Sequence, residues 1–210
     1  CAVPRADQAR RRELAPFRAL PGTFPPRDAQ DLMAYPFFSL AKSKRTVPID
    51  FRSGGVTVRV EGSAQHGIAT VWTDDILIWA ATQLDEARDA GIPTSRLVQT
   101  TPYEILTFIR RGTSSKDYFR LKAALDRLQS TSVATSIRAM TGRRLHRFSW
   151  INEWKECADP LGRPVGIEIV LPDWFYGGIT EPSLVLKIDP GYFGLRGGIE
   201  RWLYRLVRKH

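Results

Sequence analysis

Residues 101–130, TPYEILTFIRRGTSSKDYFRLKAALDRLQS, decide the fold. Thr101-Pro102-Tyr103-Glu104 has the form of a capping box with proline at the first helical position. It opens a short helix through Ile105, Leu106, Phe108 and Ile109, which stops at Gly112. Ser114-Ser115-Lys116-Asp117 is a second start of the same kind, and Tyr118, Leu121, Leu125 and Leu128 after it share one face of a longer helix. The linker Arg111-Gly112-Thr113 is short and contains glycine, as a helix-turn-helix requires.

Upstream, Asp74 and Asp75 begin an earlier helix carrying Ile76, Leu77, Trp79, Ala80 and Leu84, which ends at Gly91-Ile92-Pro93. Downstream, Arg147–Trp154 alternates with Phe148, Trp150 and Trp154 on one side, and Val165, Ile167, Ile169 and Leu171 alternate in turn. The polar stretch 155–164 reads as the tip of a long hairpin joining them. Three helices and a hairpin follow the winged-helix order. Nearer the N-terminus, Val47–Phe51 and Val56–Val60 flank Ser53-Gly54-Gly55 and predict another hairpin. Residues 1–30 mix Arg5, Arg10, Arg11, Arg12 and Arg18 with Pro16, Pro21, Pro25 and Pro26, and read as a basic arm or linker. The last segment spaces Ile199, Trp202, Leu203, Leu206 and Val207 helically after Gly197-Gly198, with Arg201, Arg205 and Arg208 on the other stripe. The expected fold is α+β: a winged helix-turn-helix core over 31–210 with an N-terminal β-hairpin extension and a C-terminal amphipathic basic helix.

Composition narrows the partners. The 210 residues hold 31 Lys and Arg against 22 Asp and Glu, a formal net charge of +9 that favours a polyanion. No apolar run reaches the roughly 18–20 residues of a membrane span, and the N-terminus lacks the apolar core of a signal peptide, so a cytoplasmic protein is expected with no membrane partner. Cys1 and Cys157 do not make a disulfide framework. His66, His146 and His210 are scattered away from metal-ligand spacing, and the phosphate-loop and GxSxG patterns are absent, so no metal, no cofactor and no enzymatic activity are expected. A nicking tyrosine would need a metal-binding histidine pair that is not present.

The candidate contacts are therefore those that suit double-stranded DNA. At ~100° per residue, Lys116, Arg120 and Arg127 lie within about 40° of one another and opposite the apolar stripe of the third helix. Thr113, Ser114 and Ser115 stand at its N-terminal end, where hydroxyls and backbone N–H groups suit phosphate. Arg143, Arg144 and Arg147 precede and open the hairpin, Lys155 and Arg163 flank its tip, and Arg201, Arg205 and Arg208 add a closing basic stripe. Each of these sets has a plain alternative as a solvated surface.

Several strings also resemble a known family. They are Asp31-Leu32-Met33-Ala34-Tyr35-Pro36-Phe37-Phe38-Ser39-Leu40, Ile49-Asp50-Phe51, Ala69-Thr70-Val71-Trp72, Thr101-Pro102-Tyr103-Glu104, Thr135-Ser136-Ile137-Arg138 and Phe148 with Trp150-Ile151. Together they are similar to the plasmid replication initiator protein A (RepA) family over roughly residues 30–210. The resemblance implies binding to plasmid origin repeats, recruitment of host replication proteins and control of copy number. Initiators of this kind often carry two winged helices, and these residues read as one, which leaves a second in question as a part outside them. A winged-helix monomer buries modest DNA surface, so a homodimer or an array of sites is the way to tight specificity, with the hairpin at 47–60 as the candidate dimer sheet. A transcriptional repressor using the same module, a DNA nickase and a protein-interaction domain are the competing readings. The repressor would bind a palindromic operator and the initiator iterated repeats.

Overall fold

Both capped helices form where their caps lie. The computed structural model describes residues 15–139 and 145–210. In chain order its elements are β1 Phe17–Arg18, β2 Arg27–Ala29, α1 Gln30–Ala34, β3 Ile49–Ser53, β4 Val56–Glu61, α2 Asp75–Asp89, β5 Leu97–Thr100 and α3 Pro102–Phe108. They continue with α4 Ser115–Ser130, β6 Ser132–Thr135, β7 His146–Ser149, β8 Glu153–Ala158, β9 Pro164–Val170, α5 Asp173–Thr180, β10 Val185–Lys187 and α6 Gly198–Lys209, with two short 3-10 turns around β10. At α3 the Thr101 hydroxyl accepts from the Glu104 N–H at 3.2 Å while Glu104 accepts from the Thr101 N–H at 2.7 Å. Ser114 and Asp117 repeat the exchange at α4. Such reciprocal bonds satisfy donors that the first helical turn leaves unpaired. The end of α3 differs from the expected stop at Gly112. Arg110 adopts φ 55°, and the N–H groups of Arg110 and Arg111 reach back to Thr107 and Leu106, closing the helix two residues early in a Schellman arrangement.

Helix α2 is buried from Asp75 to Asp85, which explains why its apolar residues exceed a single stripe. A four-stranded sheet in the order β1-β5-β9-β8 lies in the same core. In it β5 pairs antiparallel with β9, Leu97 opposite Val170, and β9 pairs with β8, Trp154 opposite Ile169. The order helix, strand, helix, helix, hairpin thus runs α2, β5, α3, α4, β8, β9, with α3 and α4 joined through residues 109–114.

Three expectations are corrected. The alternating run Arg147–Trp154 is not one strand. Its first half, β7, pairs with β6 in a second sheet of order β3-β4-β6-β7, and the chain changes sheets at Trp150–Asn152. The 47–60 hairpin forms as β3 and β4, its turn made by Gly54 and Gly55 at φ 55° and 80°, but β4 is covered by β6, so it is half of that second sheet rather than an appended extension. Nor is the segment before residue 30 wholly an arm. Phe17 and Ala29 are core residues, β1 lies parallel to β5, and β2 pairs with β10. Arg27 in β2 is buried against Asp85, Glu86 and Asp89 of α2. Residues 1–14, with Arg5, Arg10, Arg11 and Arg12, lie outside the described residues.

Aromatic residues weld the second sheet to α5. Phe148 stacks on Trp174 with centroids 4.8 Å apart, Phe38 stacks on Trp150 at 4.9 Å, and Phe37 meets Trp150 edge-on.

Candidate nucleic-acid interface

Helix α4 buries Leu121, Leu125 and Leu128 and turns the opposite face outward. Lys116, Phe119, Arg120 and Ala123 are exposed on that face, and Arg127, half-buried, extends it by one turn. The candidates Lys116, Arg120 and Arg127 are thus brought together as the spacing predicts. Ser114, Ser115 and Thr113 are also exposed, but the Ser114 hydroxyl is already engaged, donating to Asp117 at 2.6 Å. That bond, with the Ser114 N–H and Arg120 nearby, holds the Asp117 carboxyl below its usual range. Arg120 stands 3.5 Å from Asp117, a loose exposed pair that a phosphate or a base edge can replace.

Beside this face opens a cleft of about 690 Å³ lined by Lys42, Trp72, Arg111, Phe119, Arg120 and Arg127. Lys42 and Arg111 were not among the sequence candidates. Lys42 sits over the Trp72 ring at 5.4 Å, and Arg111 reaches Asp75 at 3.4 Å from the turn between α3 and α4. The run Lys42, Lys44, Arg45 was the available signal for the first. Phe119 was missed because it lies just off the arc of the three basic residues.

The β8–β9 hairpin is fixed relative to α4. Trp154 donates its indole N–H to Asp126 at 3.0 Å, and Lys122 pairs with Glu156 at 2.6 Å. Lys155 is held across the hairpin by Glu168 at 2.6 Å, and at the turn Arg163 pairs with Asp159 at 2.7 Å while remaining exposed. Backbone N–H donation from Arg163, with the pair itself, lowers the Asp159 carboxyl. Arg147 is exposed on β7, in the other sheet, so it does not open this hairpin as expected. Arg143 and Arg144 lie outside the described residues.

The closing helix reverses its predicted orientation. Arg201 and Arg205 are buried, and Ile199, Trp202, Leu203 and Val207 are exposed, Ile199 at 69% and Val207 at 68%. Arg201 donates to Asp75 at 2.6 Å and to the carbonyls of Leu195 and Phe193, while Arg205 pairs with Asp28 at 2.7 Å and with Asp74. These carboxylates require cations because an unpaired buried charge is far costlier than a paired one. Burial still dominates: it pushes the Asp74 carboxyl up to about 8 and that of Asp75 to about 6. Close approach of α6 depends on Gly198, where a Cβ would lie 2.0 Å from the Leu40 carbonyl oxygen. Arg201 and Arg205 are therefore core ion pairs and not a surface stripe. Arg208 alone of the three is exposed, donating to the Lys187 carbonyl at 2.9 Å.

Among the described residues no three His, Cys, Asp or Glu side chains gather as a metal-binding group, and no helix is long and apolar enough to cross a membrane.

Two solved structures share the fold: domains 2 and 3 of RctB, with a TM-score of 0.61 and 13% identity over 86% of this chain and 70% of that one, and RctB residues 155–483, with a TM-score of 0.58 and 13% identity over 81% and 66%. At that identity the likeness is one of fold alone. A protein of Wigglesworthia glossinidia brevipalpis whose given name is that of a replication protein is 31% identical over 182 residues, 85% of this chain and 65% of that protein, so the chain spans a little under two thirds of its length. The family model described as replication initiator protein A matches residues 27–210, nearly the whole of the described structure, and the chain belongs to that family.

Proposed function

We propose that this chain is a winged-helix module of a plasmid replication initiator, binding origin repeats in double-stranded DNA and recruiting host replication proteins, with no catalytic activity of its own. The order α2, β5, α3, α4, β8, β9, with β5 in the hairpin's sheet, supports the winged-helix reading, β6 and β7 being an insertion after the third helix. One observation carries the proposal: α4 turns Lys116 and Arg120 outward, with the half-buried Arg127 on the same face, opposite its buried leucines and beside a basic cleft. A helix so faced fits the major groove, where arginine and lysine donate hydrogen bonds to guanine O6 and N7. The hairpin carries the exposed Arg163 at its tip, and in this reading that side chain contacts the neighbouring phosphate backbone. Family membership favours an initiator over a repressor with the same module.

The test is an anisotropy titration of the chain against a duplex from its own plasmid origin and a scrambled duplex, at 50 and 200 mM salt. The proposal predicts a preference for the origin that persists as salt weakens both complexes. Equal affinities at both salt concentrations would contradict it.

A further inference from the structure

We propose that α4 selects thymine through its 5-methyl group, with Phe119 and Ala123 as the contacting side chains. This rests on the reading of α4 as the groove-entering helix and adds which base it distinguishes.

Phe119 is 73% exposed, the most exposed aromatic side chain among the described residues. It stands on a helix whose apolar needs are already met by Leu121, Leu125 and Leu128 on the other side. At ~100° per residue, Lys116, Phe119, Arg120, Ala123 and Arg127 occupy one arc of about 100°. Phe119 forms one edge of that arc, beside Lys116, and Ala123 lies next to Lys116 and Arg127. Whatever covers this face must therefore be strongly anionic and yet offer apolar groups between its charges. Lipid headgroups do not offer apolar groups between their charges. The major groove of duplex DNA does: its walls are phosphate, and the apolar group on its floor is the thymine methyl, which phenylalanine and alanine side chains contact. Ala123 contributes a second feature, since its short side chain lets the helix backbone come close to the base edges. Phe119 and Ala123 are four residues apart, about 6 Å along the axis, close to two base-pair steps of 3.4 Å. The geometry thus predicts two methyl contacts on thymines about two steps apart.

The experiment uses the whole chain. A preferred duplex is selected from a random pool, and each thymine in it is then replaced singly by deoxyuridine, which removes the methyl and leaves base pairing intact. Wild type should lose about three- to fivefold in affinity at each of two positions about two steps apart, the expected scale for one buried methyl, and be indifferent elsewhere. Phe119→Ala should bind the thymine duplex more weakly and lose the penalty at one of those positions while keeping the other; Ala123→Gly should do the converse. If no thymine carries a penalty, or if Phe119→Ala retains every one, the methyl reading is overturned even though a selected site bound through Arg120 still stands. If the pool yields no enriched sequence at all, the DNA reading and this inference fall together. Far-ultraviolet circular dichroism of both variants, at exposed positions, should match wild type.

Discussion

Removing Arg205 tests the inverted packing of α6 directly. Its guanidinium is buried between Asp28, at 2.7 Å, and Asp74, and each of the three side chains is at most 3% exposed. Arg205→Ala leaves two carboxylates in the core without that cation. Breaking a buried pair by taking one partner costs about 3–5 kcal/mol, a large part of the roughly 5–15 kcal/mol that stabilises a domain. The loss should depend on pH. In the wild type, burial lifts the Asp74 carboxyl to about 8 and the Asp75 carboxyl to about 6, whereas an unfolded aspartate titrates near 4. The folded state therefore holds more protons than the unfolded state between about pH 4 and pH 8, and this pair makes stability fall as pH rises through that window. Without Arg205, which lowers both Asp28 and Asp74, the window extends higher and the fall steepens. Urea unfolding followed by circular dichroism at pH 5.5 and pH 8 measures both effects. The variant should be several kcal/mol weaker at pH 8 and recover part of the deficit at pH 5.5. A change under about 1 kcal/mol at pH 8, or a deficit unaltered by pH, would refute the buried network.

Other perturbations sort the same helix and its neighbours. Leu203→Lys and Val207→Lys, on the outward stripe of α6, should each change stability by no more than about 0.5 kcal/mol in the same unfolding assay, because neither side chain leaves a core. Arg110→Gly should raise stability by about 0.5–1 kcal/mol by relieving a left-handed residue at the end of α3, and a loss on denaturant titration would count against that geometry. Thr101→Ala should cost about 1 kcal/mol through the lost cap of α3, read from the same curves.

How much of this was legible depends on how far apart the interacting residues lie. The starts of α3 and α4 could be read because a capping box is complete within four residues, and the inward leucines of α4 because helical spacing is local. The outward basic face followed from the same spacing. What periodicity could not supply is which stripe of α6 faces the core. An apolar stripe normally turns inward, yet here Asp28, Asp74 and Asp75, more than 120 residues earlier in the chain, hold the arginines instead. The division of 147–154 between two sheets was hidden for a similar reason. Phe148, Trp150 and Trp154 alternate as one strand would, and only pairing of β7 with β6 and of β8 with β9 breaks the run. Arg27, inside the stretch read as an arm or linker, is neutralised by α2 acids some 60 residues away.

The central claim, that the outer face of α4 recognises DNA, is tested most directly by one substitution. Binding of wild type and Arg120→Ala to the origin duplex and to scrambled duplex is measured at two salt concentrations. The account predicts that Arg120→Ala loses about 1–3 kcal/mol on the origin duplex while its weak, salt-sensitive binding to scrambled DNA persists. Unchanged affinity for the origin, or an equal loss on both duplexes, would contradict it.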